Sequence, residues 1–263
     1  MQNNPENIKN HEPIIRTSYF RFYEELNDFL SPQYFKKNYP FTFRGKTSVK
    51  NAIENIGVPH TEVDLILVDG VSVDFNHRIE GAEQVSVYPV FESFDVSPVI
   101  RLRAKPLRKI RFVVDVNLGK LAKKLRLLGF DTHYNNDLQD EEIIKISLAE
   151  KRIILTRDIG ILKNGNVTHG TWIRSDDPKT QLDELIERLQ LKNSFKPFSR
   201  CSQCNGQLKR IKKELLKNRI SDDTLSFYKI FWECQGCQQI YWEGSHFDKI
   251  NDWIEEKRSE NVN

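Results

Sequence analysis

The chain has 263 residues, of which 38% are hydrophobic, and its formal net charge is only +3. That length and apolar content exclude a wholly disordered chain and allow two or more domains of about 100 residues, each with its own core. No apolar run reaches the roughly 20 residues of a membrane-spanning helix, and the first residues do not read as a secretion signal, so we expect a cytoplasmic protein without a membrane partner.

The first 16 residues are polar and contain two prolines, which predicts a flexible leader. Residues 17–96 combine strand-like runs such as "SYFRF" and "FTFRG" with one helix, which Thr47 or Ser48 can cap, and with the hairpin "VDLILVDGVSVDF". A strand pair, a single helix and further strands within about 80 residues predict a β-grasp domain.

Residues 17–96 resemble the ubiquitin-like sulfur-carrier proteins, particularly in "GVPHTEVDLILVDGVSVDF" and "VYPVFESFD". Sulfur carriers and ubiquitin end in a flexible Gly-Gly whose carboxylate is activated, whereas this segment continues into a basic linker over residues 97–109. The resemblance therefore implies a ubiquitin-like module that binds a protein partner or aids recognition, and not a carrier.

Residues 110–191 alternate strand-like and helix-like runs, beginning with "IRFVVD" and the helix "LGKLAKKLRLLG". Leucines recur at helical spacing from Leu118 to Leu128, and Gly129 provides a C-terminal stop. This alternation predicts right-handed crossovers and a parallel α/β sheet, in which all strands end at one edge.

Acidic residues follow every strand of this predicted sheet. They are Asp115 after the first strand, Asp137, Asp140 and Glu141 after the second, Asp158 after the third, and Asp176 with Asp177 after the fourth. Aspartate is a preferred helix N-cap, so Asp140, Asp158 and Asp177 could each serve only as a cap.

Asp115 is the acid that capping explains least, because Asn117 could cap the first helix without it. Several carboxylates within about 4 to 6 Å raise one another's pKa values and oppose folding unless cations neutralise them. Oxygen ligands without histidine favour hard cations, so this edge of the sheet predicts a site for Mg²⁺ or Mn²⁺. Paired ions in such a site can activate a water for phosphodiester cleavage.

The motifs "RFVVDVNLGKLAKKLRLLGFDT", "RIILTRDIGIL" and "IRSDDP", together with two later cysteine pairs, resemble the Mut-seven C-terminal ribonuclease family, a branch of the PIN-like nucleases. The resemblance covers about residues 108–248. It implies a PIN-like nuclease domain at residues 110–191 and an RNA substrate, with tRNA as one candidate. It also implies a catalytic acidic quartet that holds Mg²⁺ or Mn²⁺, formed by Asp115, Asp140 or Glu141, Asp158 and Asp176.

Three cations lie beside these acids in the sequence and could bind the phosphates of a substrate, namely Lys120, Arg157 and Arg174. Each could equally be an ordinary surface charge. Two longer basic blocks, residues 101–126 and 192–219, contain one acid each. They could attract a polyanion or could be solvated faces and a linker.

All four cysteines stand in two C-x-x-C pairs, Cys201 with Cys204 and Cys234 with Cys237. Four thiolates without an open position are typical of a structural zinc site. A cytoplasmic chain without other cysteines argues against two disulfides, and redox C-x-x-C motifs do not ordinarily occur twice at such spacing. We therefore predict a zinc ribbon over residues 196–250, in which the metal stabilises a small core.

Basic and aromatic residues are interleaved between the cysteine pairs, where "KRIKKELLKNR" precedes Phe227, Tyr228, Phe231 and Trp232. Such residues can bind phosphates and stack on unpaired bases, but Trp232 and Tyr241 could instead pack the core of the ribbon itself. Residues 251–263 are charged and mixed in sign, which predicts a charged tail that forms a solvated helix.

The whole sequence predicts an α/β and α+β multidomain protein with a β-grasp domain, a PIN-like parallel α/β nuclease domain and a C-terminal zinc ribbon. The function we expect is metal-dependent RNA hydrolysis, with the ribbon and the β-grasp module aiding recognition of substrate or partner. Two alternatives stay open. One is a non-catalytic RNA-binding or adaptor protein in which the acids are caps, and the other is a PIN-type toxin ribonuclease that acts on tRNA.

Overall fold

The computed structural model describes residues 14–89 and 110–259 of the chain. Most of the predicted leader (1–13), the predicted linker (97–109) and the end of the predicted tail (260–263) lie outside the described residues. Within the described part, no helix combines the length and the apolarity that crossing a bilayer requires.

The first compact unit, residues 1–104, contains a five-stranded sheet with the strand order β2-β1-β7-β4-β5. Its helix and strands are β1 (Ile15–Phe22), β2 (Asn38–Arg44), β3 (Thr47–Ser48), α1 (Val49–Ile56), β4 (Val63–Val68), β5 (Val71–Val73), β6 (Arg78–Ile79) and β7 (Gln84–Pro89). The central strands β1 and β7 are parallel and the other pairs in the sheet are antiparallel. This is the β-grasp arrangement, which confirms the predicted fold of this part of the chain.

Local sequence signals account for the helix and the hairpin of this unit. Ser48, one of the two predicted caps, begins α1 by accepting a hydrogen bond from the Asn51 N–H at 3.2 Å. The turn between β4 and β5 places Asp69 and Gly70 at φ 48° and 82°, as a tight hairpin turn requires. β1 begins at Ile15, slightly before the predicted start of the domain at residue 17.

The second compact unit, residues 105–263, contains a four-stranded sheet and a three-stranded sheet. Its helices and strands are β8 (Arg111–Val114), α2 (Gly119–Leu127), β9 (Asp131–His133), α3 (Asp140–Glu150), β10 (Ile153–Thr156), α4 (Ile159–Lys163), β11 (Gly170–Trp172), α5 (Pro178–Arg188), β12 (Leu208–Ile211), α6 (Asp222–Phe227), β13 (Phe231–Cys234), β14 (Ile240–Trp242) and α7 (Ser245–Ser259). The larger sheet has the order β11-β10-β8-β9, and its strands are all parallel, as the alternating sequence pattern predicted. The smaller sheet, β12-β13-β14, is antiparallel.

Helices cover both faces of the parallel sheet, because alternate side chains of its strands enter two separate cores. Phe112 and Val114 of β8 belong to a core that includes residues of α2 and α5. Val113, which points the other way, belongs to a core formed with residues of α3 and α4. A strand buried on both faces explains why the sequence of β8 reads as a continuous apolar run.

The C-terminal helix α7 corrects the prediction of a solvated charged tail. Ile254 is fully buried in the core that contains α2 and α5, and Ile250 and Trp253 pack against the same core. These residues recur at helical spacing, but the many charges around them obscured this stripe in the sequence. Lys257 is also buried, and its ammonium nitrogen lies 2.8 Å from a carboxylate oxygen of Asp183.

Candidate functional site

The four cysteines converge on one point beside the three-stranded sheet. In the described part of the chain, they form the one group of three or more His, Cys, Asp or Glu residues whose ligand atoms all lie within 4.8 Å of one another. The Sγ atoms of Cys201 and Cys237 are 3.7 Å apart, and those of Cys204 and Cys234 are 3.3 Å apart. These separations are too long for a disulfide of about 2.05 Å and suit thiolates around one tetrahedral ion at Zn–S distances of about 2.3 Å. The cluster could therefore bind zinc.

Backbone N–H groups point at the sulfurs of this cluster. Gly206 N lies 3.4 Å from the Sγ of Cys204, and Gly236 N lies 3.3 Å from the Sγ of Cys234. Burial alone raises the pKa of the Cys204 thiol, but the Gly206 N–H and the neighbouring cysteines lower it to about 7. At Cys204 the polypeptide thus favours the thiolate, which is the form that binds metals, whereas burial raises the pKa of the Cys234 and Cys237 thiols, so a bound metal would have to displace their protons.

Gly206 allows close contact between the two C-x-x-C segments, which we call the first knuckle (residues 201–204) and the second knuckle (residues 234–237). A Cβ atom at this position would lie 2.7 Å from the Sγ of Cys234 and 3.1 Å from the backbone nitrogen of Gly236. Any side chain would therefore push the first knuckle away from the second. The close packing of the four sulfurs depends on this glycine.

The acidic residues lie at a different place, the edge of the parallel sheet where its strands end. The chain moves outward from β8 to β9 and then crosses back to β10 on the other side of β8, so the direction of winding reverses between β8 and β10. In open α/β sheets this switch point is where ligands bind. Asp115 directly follows β8, and Asp158 follows the end of β10.

Asp115 is buried, with only 5% of its surface exposed. Its N–H donates to the carbonyl oxygen of Leu155 at 3.0 Å, and its carboxylate accepts a hydrogen bond from the Thr156 hydroxyl at 2.7 Å. The carboxylate makes no capping bond. Asn117 is not the cap of α2 either, because that helix begins after Leu118, so the predicted substitute cap was wrong.

Thr156 links two of the predicted acids and was missed by the sequence reasoning. Its hydroxyl donates to Asp115 and accepts from the Asp158 N–H at 2.8 Å. A polar residue at the last position of an otherwise buried strand, directly before "RD", is the signal that could have identified it. Asp158 also caps α4 as predicted, through an accepted hydrogen bond from Gly160 N at 2.6 Å.

Asp140 is the first residue of α3 and not its cap. Gln139 caps the helix and forms a capping box with Glu142, so the capping role predicted for Asp140 was wrong. Burial raises the pKa of Asp140, and the negative charges of Asp158 and Asp115 raise it further. The charges of Asp158 and Asp115 therefore act on Asp140.

The fourth predicted strand-end acid, Asp176, has another partner. Its side chain is 83% exposed and forms an ion pair with Arg157. The neighbouring Asp177 caps α5 as predicted, since its carboxylate accepts from the N–H groups of Lys179 and Thr180. Glu141 lies exposed in the first turn of α3.

Two family models match the chain. One, described as the Mut7-C RNAse domain, matches residues 110–254, and the other, described as Mut7-C ubiquitin, matches residues 15–95. The chain belongs to the Mut7-C RNAse domain family. No curated protein and no solved structure matches it. The RNAse match indicates a nuclease-type function on RNA, and the ubiquitin-like match indicates interaction with a protein.

Within the Mut7-C RNAse domain, the three acids at the switch point form an open group. The charges of Asp158 and Asp115 act on Asp140, yet the described residues contain no set of their oxygens that all lie within 4.8 Å. Asp115 is buried, whereas Asp140 and Asp158 are exposed. We call these three residues the acidic pocket.

The cations predicted to bind phosphates differ in their availability. Lys120 is exposed in the first turn of α2, close in sequence to Asp115. Arg157 is partly exposed and pairs with Asp176. Arg174 is largely occupied, because its guanidinium lies 3.2 Å from Glu184 and 5.1 Å from the ring centroid of Trp172.

Most aromatic residues of the ribbon serve its packing. Phe231 is buried, and Trp242 and Tyr228 pack against the same small core. Trp232 stacks on Phe247 at 6.0 Å, which supports the structural alternative for that residue. Phe227 differs, because 78% of its surface is exposed.

Proposed function

We propose that this protein is a metal-dependent ribonuclease whose acidic pocket holds Mg²⁺ or Mn²⁺. The observation that carries the proposal is the convergence of acids at the switch point: the Thr156 hydroxyl joins the Asp115 carboxylate to the Asp158 backbone, and burial together with the charges of Asp158 and Asp115 raises the pKa of Asp140. The three carboxylates come from three segments of the chain that are separate in the sequence. That crowding opposes folding unless cations neutralise it.

The donor atoms of the pocket fit a hard divalent cation, because they are carboxylate oxygens without histidine or cysteine. Asp115, Asp140 and Asp158 would hold the ion or ions, and Glu141 or Asp176 could complete the set. When bound, the metal would supply a polarised water and stabilise the negative charge that develops on the phosphate.

The protein's own side chains would fix the geometry of the reaction. Thr156 and the backbone of Leu155 hold Asp115 at the end of β8. Lys120 and Arg157, both accessible, would attract phosphates of the RNA backbone toward the pocket. Asp176 stays near this site through its ion pair with Arg157.

The remaining parts of the protein would support this reaction. The four cysteines would bind one structural zinc ion, and the β-grasp domain predicted over residues 17–96 would bind a protein partner. The cytoplasmic location, the exact domain boundaries, the tRNA target and the toxin role stay predictions from the sequence.

Cleavage of a labelled single-stranded RNA by highly purified protein tests the proposal. We expect the wild type to cleave in Mn²⁺ or Mg²⁺ and to stop cleaving after metal chelation with EDTA. Asp115→Asn should reduce the rate at least about 100-fold, because metal-based stabilisation of the transition state is worth several kcal/mol.

Asp137→Asn is the matched control, since Asp137 is an exposed aspartate that follows the neighbouring strand β9. It should cleave RNA like the wild type. Equal cleavage by Asp115→Asn and wild type would refute the proposal. Tight RNA binding without cleavage in either metal would favour the adaptor alternative.

A further inference from the structure

Tyr134 connects strand β9 to the backbone beside Asp115. Its hydroxyl oxygen lies 3.0 Å from the carbonyl oxygen of Val116, the residue that directly follows Asp115. The same oxygen lies 2.7 Å from Oδ1 of Asn136. The hydroxyl has a single proton and can donate to one of these two oxygens, and a bond to Val116 would attach the turn that leaves Asp115 to the residue directly after β9.

Gly119 shows how closely Tyr134 approaches this turn. A Cβ atom at position 119 would lie 2.4 Å from the Tyr134 hydroxyl oxygen and 2.7 Å from the ring carbon that carries it. The backbone at the start of α2 and the end of the tyrosine ring therefore occupy adjacent space. An added side chain at position 119 would displace the end of the Tyr134 ring, whereas the φ and ψ angles of Gly119 are ordinary helical ones.

Arg126 connects Tyr134 to the first cysteine knuckle. Its guanidinium is buried and donates hydrogen bonds to the carbonyl oxygens of Thr132 at 3.0 Å, Gln203 at 2.7 Å and Tyr134 at 3.4 Å. Gln203 lies between Cys201 and Cys204 in the sequence. One buried cation therefore joins the cysteine knuckle to β9 and to Tyr134, the residue that directly follows this strand.

Asn205 makes a second connection between the same two parts. Its side-chain oxygen accepts from Thr132 N at 2.9 Å, and its side-chain nitrogen donates to Asp131 at 2.8 Å. Arg200 also reaches Asp131, at 3.1 Å. The first knuckle is therefore attached along the length of β9 and not at a single point.

We propose that Tyr134 is a positioning residue for Asp115, and that the first cysteine knuckle holds Tyr134 in place through Arg126. The inference rests on the proposed function of the acidic pocket. Order in the four-cysteine cluster is then transmitted along β9 to the turn beside Asp115. The ribbon is in this sense a structural part of the nuclease site and not an independent attachment.

Tyr134→Phe in the full-length chain tests the role of the hydroxyl, because the ring and its packing are retained. We expect the cleavage rate to fall about 10-fold, the size of effect typical when a group that orients a metal ligand is lost. The Mn²⁺ concentration for half-maximal rate should rise, while KM for RNA and the melting temperature stay unchanged. Tyr39→Phe, on β2 of the other unit, is the matched control and should behave like the wild type.

Hydrogen exchange measured by mass spectrometry gives a readout that does not depend on activity. The amide of Leu118 donates to the carbonyl oxygen of Asp115 in the turn that Tyr134 holds. We expect peptides covering residues 115–120 to exchange faster in Tyr134→Phe, in Arg126→Lys and after removal of zinc from the cysteines. Peptides from α1 should not change.

The two readouts separate failure of this inference from failure of the proposed function. If the wild-type protein neither cleaved RNA nor responded to Mn²⁺, the proposed function would be refuted. The exchange experiment would still report on the connection between the first cysteine knuckle and the turn beside Asp115. Unchanged exchange in residues 115–120 in both variants would overturn the inference. So would a Tyr134→Phe protein with wild-type dependence on Mn²⁺.

Discussion

The four-cysteine cluster and the acidic pocket are two candidate metal sites in the same compact unit, and they are built in opposite ways. The cysteine sulfurs lie within 4.8 Å of one another and receive hydrogen bonds from backbone N–H groups. The acidic pocket has one buried carboxylate, Asp115, and two exposed ones, Asp140 and Asp158. The first site is closed and the second is open.

A closed site suits a structural metal, and an open site suits a catalytic one. A structural metal needs all its ligands from the protein, and two short hairpin knuckles can supply four sulfurs at fixed separations. A catalytic metal must leave positions for water and substrate, so a single anchored ligand with exposed partners is suitable. The proposed function therefore gives the cysteines a role in folding and the carboxylates the role in the chemistry.

The largest expected effect follows from Cys234→Ser, which removes a buried ligand of the closed site. Structural zinc contributes an apparent binding free energy of about 10–16 kcal/mol in small zinc domains, so the ribbon should fail to fold. Metal analysis should show loss of one bound zinc per chain, and circular dichroism should show an earlier, broader melting transition. Ser202→Ala, in the same knuckle, is the control. Full zinc content and an unchanged melting transition in Cys234→Ser would show that the cluster does not hold a structural zinc ion.

A smaller effect is expected from Gly206→Ala, which keeps all four ligands but crowds them. The added Cβ would lie 2.7 Å from the Sγ of Cys234, and overpacking of this kind costs about 1–3 kcal/mol. Competition with a coloured zinc chelator should show weaker zinc binding by roughly 10-fold or more. Gly165→Ala is the matched control, because nothing lies within 4 Å of its added Cβ. Equal zinc affinity in the two variants would mean that the knuckles are not packed as described.

The smallest expected effect concerns Asp140 in metal-free buffer. Burial and the charges of Asp158 and Asp115 raise its pKa in the folded state, so the folded protein binds this proton more tightly than the unfolded chain. The stabilisation that the proton provides is present at low pH and is lost as pH rises through the raised pKa. Asp140→Asn should therefore raise the melting temperature by about 1 °C at neutral pH, since solvent screens exposed charges, and by less near pH 4.

Differential scanning calorimetry at both pH values checks this prediction, with Asp137→Asn as the control. Adding Mn²⁺ should reverse the order of the two melting temperatures, because Mn²⁺ should bind and stabilise the folded wild type but not the variant. If Asp140→Asn lowered the melting temperature at neutral pH without metal, the carboxylates would not repel one another in the folded protein.

The regular spacing of apolar residues and of cysteines along the sequence was sufficient to predict the fold. The alternation of strands and helices predicted the parallel sheet, and the pair of C-x-x-C motifs predicted the cluster of four sulfurs, because both signals depend on local spacing. The burial of α7 escaped prediction, since Ile250, Trp253 and Ile254 lie among charges that dominate the composition of the segment.

The details of the acidic pocket were harder to predict, because they depend on which nearby residue makes each hydrogen bond. Gln139 and not Asp140 caps α3, although aspartate is among the residues preferred at that position, which is why Asp140 was the predicted cap. Thr156 reaches the side chain of Asp115, and Tyr134 reaches the carbonyl oxygen of Val116 beside it, only through tertiary structure. The ion pair of Asp176 with Arg157 likewise joins two loops that are distant in the sequence.

Calorimetric titration of the zinc-loaded protein with Mn²⁺ at neutral pH tests the central claim most directly, because it measures cation binding without an RNA substrate. We predict a saturable heat of binding in the wild type that Asp115→Asn loses and Asp137→Asn retains. No saturable heat in the wild type, or the same heat in Asp115→Asn, would show that the acidic pocket is not a metal site.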